Sequence, residues 1–189
     1  WWFNILGKEL HELNLSTEEK KVHTLPVMAS VLARIDDRRQ LLATEQGLFV
    51  RDIESGGLTF YAALENDRPE NRSNDGRMHP SGSLWISTMS KRAETQAGAI
   101  YHVARGKVTK LFGGITIPNS ICFSPDGSVG YFTDTHLSRL MRVMVDRETG
   151  LPTGEPIADF SPTEVVSWHM LDESGRFWLP YIRAISCHI

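Results

Sequence analysis

The fold prediction rests on the stretch Asn71-Arg-Ser-Asn-Asp-Gly-Arg-Met-His-Pro-Ser-Gly-Ser-Leu-Trp-Ile-Ser-Thr88. Its second half places a turn, His79-Pro-Ser-Gly82, before the apolar segment Leu84-Trp-Ile-Ser-Thr88. Proline fixes φ and glycine tolerates positive φ, so both residues are typical of turns, and the aromatic and β-branched residues that follow predict a strand. The first half, residues 71–77, is a polar cluster. A rigid strand with such a cluster at one end can present side chains to a ligand.

This pattern of a glycine turn followed by an aromatic strand occurs three times. The turn glycines are Gly82, Gly127 and Gly175, which are 45 and 48 residues apart, and a weaker copy spans residues 35–44. Repeats of roughly 40–50 residues with several short strands each are typical of β-propeller blades. We therefore predict an all-β chain, residues 1–189, that forms a single incomplete propeller domain of about four blades.

The segments between these turns also favour strands over helices, and no segment predicts a long helix. Ala104-Arg-Gly106 is a hairpin signal between two strands. Residues 67–74 and 90–98 are polar and are predicted to be loops over a site. Four further strands are predicted, at Gly47–Asp52, Ala99–Val103, Lys107–Phe112 and Ser138–Val145. Four tryptophans are predicted to lie in the core: Trp1, Trp2, Trp85 and Trp178.

Bulk composition excludes several function classes. The formal net charge of the 189 residues is −3, with Lys and Arg scattered among Asp and Glu, so nucleic acid is not an expected partner. No apolar run approaches the roughly 18 residues that a membrane span needs. Cys122 and Cys187 form no CxxC pair, which favours a reducing compartment, the cytoplasm. The chain opens Trp1-Trp-Phe-Asn-Ile5 without an initiator Met, and we expect a fragment.

Three motifs together resemble the SMP-30/gluconolactonase/luciferin-regenerating enzyme (regucalcin-like) family. They are Asn71-Arg-Ser-Asn-Asp-Gly-Arg77, Ile117-Pro-Asn-Ser-Ile-Cys-Phe-Ser-Pro-Asp-Gly127 and Tyr131-Phe-Thr-Asp134. The resemblance extends from Trp1 to about Pro162. It implies a six-bladed propeller that hydrolyses sugar lactones with one divalent metal ion, for which Ca²⁺, Zn²⁺, Mn²⁺ and Mg²⁺ all remain open.

The resemblance also implies roles for individual residues. Asn119 matches a metal ligand, with Ser120 in place of the more usual Gly after it. Arg72 and Asn74 match a pair that holds substrate oxygens. Glu94 lies near the position of a lid residue that touches substrate, with its spacing shifted by about two positions.

Two departures from the family pattern affect the site. The first metal ligand of the family, a Glu, belongs to a motif upstream of Trp1. The last ligand, an Asp that is also the general base, aligns with Ser167, so no catalytic residue is assigned. Residues 163–189 depart from the pattern, apart from Asp172–Trp178. A truncated or frame-disrupted gene product would explain these departures.

Three functions remain open from the sequence. The favoured one is metal-dependent hydrolysis of a sugar lactone, impaired in this chain. The second is a non-catalytic propeller remnant that binds a divalent cation or small ligand weakly, and the third is hydrolysis of a non-sugar lactone or ester. Asp75 is interpreted as a structural residue that bonds backbone amides, and Asp126 and Asp134 are interpreted as turn and packing residues. The histidine spacing indicates no zinc cluster, and Ser87 and Ser124 lack the sequence context of a nucleophile. The sequence does not determine an oligomeric state.

Overall fold

The computed structural model describes residues 1–160, 170–171 and 177–178. They form an all-β structure whose only helix, within these described residues, is a single 3₁₀ turn, Thr135–Leu137. The chain divides into two compact units. The first comprises residues 1–73, and the second contains the described residues from Asn74 onward.

Unit 1 contains a three-stranded and a four-stranded sheet in which strands follow chain order and neighbours run antiparallel. Its core is formed by buried Leu10, Leu25, Ala29 and Leu42. The strands of the first sheet are β1 (Trp2–Asn4), β2 (Glu9–Leu13) and β3 (Lys20–Thr24). Those of the second are β4 (Ala29–Arg34), β5 (Arg39–Thr44), β6 (Gly47–Asp52) and β7 (Leu58–Ala62).

Unit 2 is built on two four-stranded sheets, again in chain order, and a two-stranded one. The first sheet contains β8 (Asn71–Met78), of which residues 71–73 belong to unit 1, β9 (Leu84–Ser90), β10 (Gly98–Ala104) and β11 (Lys107–Ile115). The second contains β12 (Pro118–Phe123), β13 (Val129–Asp134), β14 (Arg139–Met144) and β15 (Ile157–Phe160). The short pair is β16 (Met170–Leu171) and β17 (Phe177–Trp178). Four-stranded meanders at this spacing are the predicted blade pattern.

The structure confirms several local predictions. The strand predicted at Gly47–Asp52 is β6, and those predicted at 84–88, 99–103, 107–112 and 138–145 fall on β9, β10, β11 and β14. The amide of Gly82 donates to the carbonyl of His79 at 2.9 Å and closes the predicted turn. Arg105 and Gly106 both have positive φ, 51° and 79°, as a two-residue hairpin turn requires.

Two predictions need correction. Residues 71–74 were expected in a loop, but they begin β8, where each polar side chain takes its place in the pleat of a strand. Trp85 is fully buried, whereas Trp1 and Trp2 are only half-buried and stack on the rings of His23 and His11. Such amphipathic rings cover a core from its edge as well as filling it. The side chain of Trp178 lies outside the described part of the structure.

The core of unit 2 forms around Trp85. Its ring meets the ring of Phe123 edge-on at 5.0 Å and that of Phe112 at 5.9 Å, while Phe112 stacks on Phe132 at 5.3 Å. These four rings come from four different strands, two in each sheet, so burying them joins the two sheets. All seven residues of β9 are buried, which makes this strand the centre of the unit.

Side chains of the first sheet also bind turns of the second. The Nδ1 atom of His79 accepts a hydrogen bond from the Ser81 amide at 3.0 Å, which leaves the proton on Nε2 to donate to the Gly127 carbonyl at 2.9 Å. Trp85 Nε1 donates to the Gly150 carbonyl at 2.8 Å. His102 Nε2 donates to the neighbouring Thr149 carbonyl at 2.9 Å. We call these three contacts the turn latch.

The turn latch needs two glycines. Gly127 and Gly150 both have φ of +72°, a conformation that L side chains rarely adopt. A Cβ atom on Gly127 would lie 2.7 Å from His79 Nε2. One on Gly150 would overlap the Ser83 hydroxyl and lie 3.0 Å from His79 Nδ1. The imidazole of His79 therefore fits only because both neighbouring turns lack side chains.

Candidate functional site

Asn74 and Asn119, 45 residues apart in the chain, meet side chain to side chain. The Asn74 Nδ2 atom donates to Asn119 Oδ1 at 2.8 Å and to the Pro118 carbonyl at 2.9 Å. Both residues are half-buried, and each sits on the first strand of its sheet. The structure thus places a predicted substrate-binding residue against the predicted metal ligand.

The hydrogen bonds fix which way each amide faces. A carbonyl oxygen can only accept, so the Pro118 carbonyl requires the NH₂ group of Asn74 to face it. That NH₂ group in turn requires the oxygen of Asn119, because two facing donors would repel. Asn119 Nδ2 points the other way and donates to Thr135 Oγ1 at 2.9 Å. We call this set, the Pro118 carbonyl, Asn74, Asn119 and Thr135, the amide network.

The carboxyl group of Asp75 binds the backbone next to Asn119. Its Oδ2 accepts from the Ile121 amide at 2.8 Å, and the amides of Ser120 and Gly76 also bond the carboxyl group. Although the residue keeps some exposure, its carboxyl group is densely surrounded, and this desolvation raises the pKa of Asp75 to about 6 against the opposing effect of those amides and of Arg77. The structure confirms that Asp75 bonds backbone amides.

The backbone conformation at Ser120 accounts for the glycine that the resemblance implies at this position. It has φ of +57°, and the ladder between β12 and β13 shifts register between Asn119 and Cys122. A left-handed residue in a strand turns successive amides to one side, where they form a concavity for an anion. Here the amides of Ser120 and Ile121 both reach the Asp75 carboxyl group. The bulge thereby presents the Asn119 side chain at a defined angle.

Asp134 anchors the segment that carries Thr135. Its carboxyl oxygens accept from the amides of Thr116 at 3.1 Å, Ile117 at 3.2 Å and His136 at 3.1 Å. The backbone of Thr135 is held by its own amide, which donates to the Ile117 carbonyl at 3.0 Å. Asp126 bonds Ser124 and Ser128 within its turn. Asp134 and Asp126 therefore have the turn and packing roles predicted from the sequence.

Arg72 and Glu94 are not part of the amide network. Arg72 belongs to unit 1, is half-buried, and its Nη1 donates to the Ser73 carbonyl at 2.9 Å. Burial lowers the pKa of its guanidinium group. Glu94 is exposed in the loop between β9 and β10, and no hydrogen bond or ion pair of its side chain occurs among the described residues. Ser167 lies outside the described residues.

The described residues do not complete a metal site. Divalent cations such as Ca²⁺ and Mg²⁺ are held by several oxygen ligands, with carboxylates supplying the charge. The described residues place the Asn119 oxygen here, but they contain no group of three or more His, Cys, Asp or Glu side chains that could hold an ion. Asp75 is occupied by backbone amides. Asn119 fits one neutral position of a coordination shell, and the described part of the chain supplies no charged partner for it.

Two contributors to the site were not predicted. Thr135 directly follows the motif Tyr131–Asp134, but nothing in the local sequence indicates that its hydroxyl meets an amide 16 positions earlier. Ser87 is fully buried, accepts from the Asp75 amide at 2.9 Å and donates to the Asp75 or the Pro118 carbonyl. A serine in the middle of a buried strand does indicate a polar partner, because buried hydroxyls are usually hydrogen-bonded.

Comparisons with known proteins identify relatives over most of the chain. A protein of Rhizobium meliloti (strain 1021) with the provisional name sugar lactone lactonase is 62% identical over 181 residues, covering 94% of this chain and 61% of the relative. Pentonolactonase XacC of Haloferax volcanii is 29% identical, and the match covers 94% of this chain and 60% of the length of XacC. This chain therefore spans about three fifths of the length of these relatives.

Solved structures agree on the fold. The crystal structure of regucalcin, a calcium-binding protein from Agrobacterium tumefaciens strain C58, is similar with a TM-score of 0.92 and 58% identity, covering 95% of this chain and 62% of that one. The Dos1 propeller, at 11% identity, shares the fold alone, with a TM-score of 0.59 over 89% of this chain and 46% of that one. Both similarities confirm the predicted all-β, propeller-class fold.

No helix in the described ranges is long and apolar enough to cross a membrane.

Residues 1–184 match the family model described as the SMP-30/Gluconolactonase/LRE-like region. Asn74 and Asn119 of the amide network lie in two of the three motifs that carried the resemblance, Asn71–Arg77 and Ile117–Gly127. The chain belongs to the SMP-30/gluconolactonase/LRE-like family.

Proposed function

We propose that the protein containing this chain hydrolyses sugar lactones, and that Asn119 is one ligand of the divalent cation this reaction uses. The observation that carries the proposal is the contact between Asn74 and Asn119, whose amides are held in fixed orientations by the Pro118 carbonyl and Thr135. The relatives named as lactonases support the reaction class.

Hydrolysis of a lactone adds water to the ring carbonyl and breaks the bond between the carbonyl carbon and the ring oxygen. A divalent cation, when bound, would polarise the carbonyl and lower the pKa of water. Asn74 is proposed to donate to substrate oxygens, Arg72 to hold hydroxyl groups with its paired donors, and Glu94 to contact the sugar from the loop after β9. The substrate is proposed to be a small sugar lactone, met in the cytoplasm.

We further propose that this activity is impaired in the present chain. The position of the family's general base is Ser167, and a hydroxyl group is a far weaker base than a carboxylate. The side chains of Asn74 and Asn119 carry no charge. This favours one alternative, a non-catalytic remnant that binds a cation or small ligand weakly. Carboxylate charge sets most of the affinity of such sites, and amides alone bind divalent cations poorly.

One experiment separates these two functions. Hydrolysis of gluconolactone by the full chain is measured with and without added Ca²⁺, Zn²⁺, Mn²⁺ or Mg²⁺, beside Asn119→Ala and, as a control, Asn14→Ala in an exposed turn of unit 1. Circular dichroism verifies that each variant is folded. Metal-dependent turnover that Asn119→Ala abolishes and Asn14→Ala retains supports the lactonase.

The opposite results are also informative. Turnover that needs no metal and survives in Asn119→Ala contradicts the proposed ligand role. Absence of turnover in folded protein, together with only millimolar cation affinity by calorimetry, establishes the remnant. That outcome would leave the family membership of the chain unchanged, because the membership rests on the match over residues 1–184.

A further inference from the structure

We infer that Thr135 is a positioning residue that holds the Asn119 amide with its oxygen toward Asn74. The inference rests on the proposed function for its catalytic consequence, but its structural content stands on three distances. Asn74 Nδ2 lies 2.8 Å from Asn119 Oδ1 and 2.9 Å from the Pro118 carbonyl, and Asn119 Nδ2 lies 2.9 Å from Thr135 Oγ1.

The orientation of Asn119 matters because its two amide atoms have opposite chemistry. The oxygen accepts hydrogen bonds and can bind a cation, whereas the NH₂ group can only donate. The two ends are nearly equal in size, so packing alone does not distinguish them. Hydrogen bonds at both ends must select one orientation, and Asn74 and Thr135 are the partners at the two ends.

Thr135 is well placed for this selection because its own position is fixed. Its amide donates to the Ile117 carbonyl at 3.0 Å, and Asp134 beside it bonds two amides of the 116–117 turn as well as the His136 amide. The hydroxyl therefore rests on a rigid support. Removing it would leave the Asn119 NH₂ group without this acceptor in a half-buried site, and only the contact with Asn74 would still hold the amide.

A neighbouring residue provides a matched control. Thr133 also bonds Asn119, but its hydroxyl donates to the backbone carbonyl of Asn119 at 3.1 Å and does not touch the side-chain amide. Thr133→Val and Thr135→Val replace the same hydroxyl group with the same methyl group, two positions apart. Only Thr135→Val removes the acceptor of the amide, whereas Thr133→Val, at the more buried of the two positions, reports any general loss of packing.

The first measurement needs no activity. Side-chain ¹H–¹⁵N signals of Asn119 are assigned in the full chain as the pair that is absent from Asn119→Gln, and their hydrogen exchange is compared among the variants. We expect exchange roughly five- to tenfold faster in Thr135→Val, the factor that one ordinary hydrogen bond supplies. Exchange should stay within about twofold of wild type in Thr135→Ser, which keeps the hydroxyl, and in Thr133→Val.

The second measurement tests the catalytic consequence. With gluconolactone, kcat/KM of Thr135→Val should fall roughly 10- to 100-fold, as is usual when the partner of a ligand is removed, and Thr135→Ser should restore most of it. Unchanged exchange in Thr135→Val, or equal effects in Thr133→Val, overturns the positioning role. If wild type lacks activity, the lactonase proposal fails for this chain, and the exchange rates still decide the role of Thr135.

Discussion

Strand β8 connects the first sheet of unit 2 to the second in two different ways. In its middle, Asn74 enters the amide network, where each bond but one joins two side chains. Just beyond its end, His79 begins the turn latch, where every acceptor is a backbone carbonyl. The two connections involve the same pair of sheets, and Asn74 and His79 are only five residues apart in the chain.

The difference lies in what can move. Backbone carbonyls of a turn are fixed by the turn. Among the latch donors, the rings of His79 and Trp85 pack against Phe123, and His102 is buried. The amides of Asn74 and Asn119 are half-buried, and rotation about one side-chain bond would exchange donor for acceptor. The comparison indicates that the latch serves stability and that the amide network serves chemistry. The following variants test this division.

The largest effect is expected at Trp85, the central ring of the latch. Trp85→Ala should lower the free energy of unfolding by about 3–5 kcal/mol, because it removes a fully buried ring from a tightly packed core. Trp85→Phe keeps a ring but leaves the Gly150 carbonyl without its donor, which should cost about 1–3 kcal/mol. Urea unfolding measures both. Equal losses would mean that the hydrogen bond outweighs the packing.

A methyl group at Gly150 should act next most strongly. Gly150→Ala should cost roughly 2–4 kcal/mol, since it combines a left-handed backbone with overlap against Ser83 and His79. Gly114→Ala has the same φ of +72° and no heavy atom within 4 Å, so it should cost only about 1–2 kcal/mol. Gly154→Ala has neither problem and should change little. Thermal unfolding of the three variants separates the cost of steric overlap with Ser83 and His79 from the cost of the left-handed backbone. Equal costs would contradict the latch geometry.

Asp75, beside the amide network, should make the free energy of unfolding depend on pH. An unfolded Asp has a pKa near 3.9, whereas burial raises that of Asp75 to about 6, so the folded state binds a proton more tightly between these values. The stabilising contribution is present in full below about pH 4 and is lost as the pH rises through about 6.

The measurement compares unfolding free energies of wild type and Asp75→Asn from pH 4 to pH 7.5. Wild type should lose on the order of 1–2 kcal/mol relative to the variant, which does not titrate. Parallel curves would show that the amides of Ser120, Ile121 and Gly76 keep the carboxylate charged in the folded protein, against the effect of burial.

The smallest effect is expected at Ser120. Ser120→Gly relieves a left-handed serine, which favours the folded state by about 1 kcal/mol, but it also raises the entropy of the unfolded chain by a similar amount. The net change in unfolding free energy should stay below about 0.5 kcal/mol. Ser120→Val is the contrast, because a β-branched residue is strained at positive φ, and it should be clearly less stable. A neutral valine variant would contradict the assigned conformation.

Local sequence predicted the parts of this molecule that depend on neighbouring residues. Turns at 79–82 and 105–106 and the strands that follow them could be predicted because glycine, proline and β-branched residues act through the backbone of their own segment. The turn roles of Asp126 and Asp134 followed from the same chemistry. Asn74 and Asn119 were identified as site residues from family motifs, which do not show how the two side chains contact each other.

What the local sequence could not show are contacts between distant segments. No periodicity indicates that His79 fits between Gly127 and Gly150, or that Thr135 meets the Asn119 amide, because these contacts depend on how two sheets pack. Residues 71–74 were misassigned to a loop for the same reason, since their polar side chains find partners only in the folded chain.

The sequence by itself therefore determined the all-β class, the blade repeat and the names of the amide pair. Only the tertiary structure decided the direction in which each amide faces, the raised pKa of Asp75 and the left-handed conformation of Ser120. The physical reason is that turn and strand propensities act over a few residues, whereas burial and hydrogen bonds between sheets depend on segments about 45 residues apart.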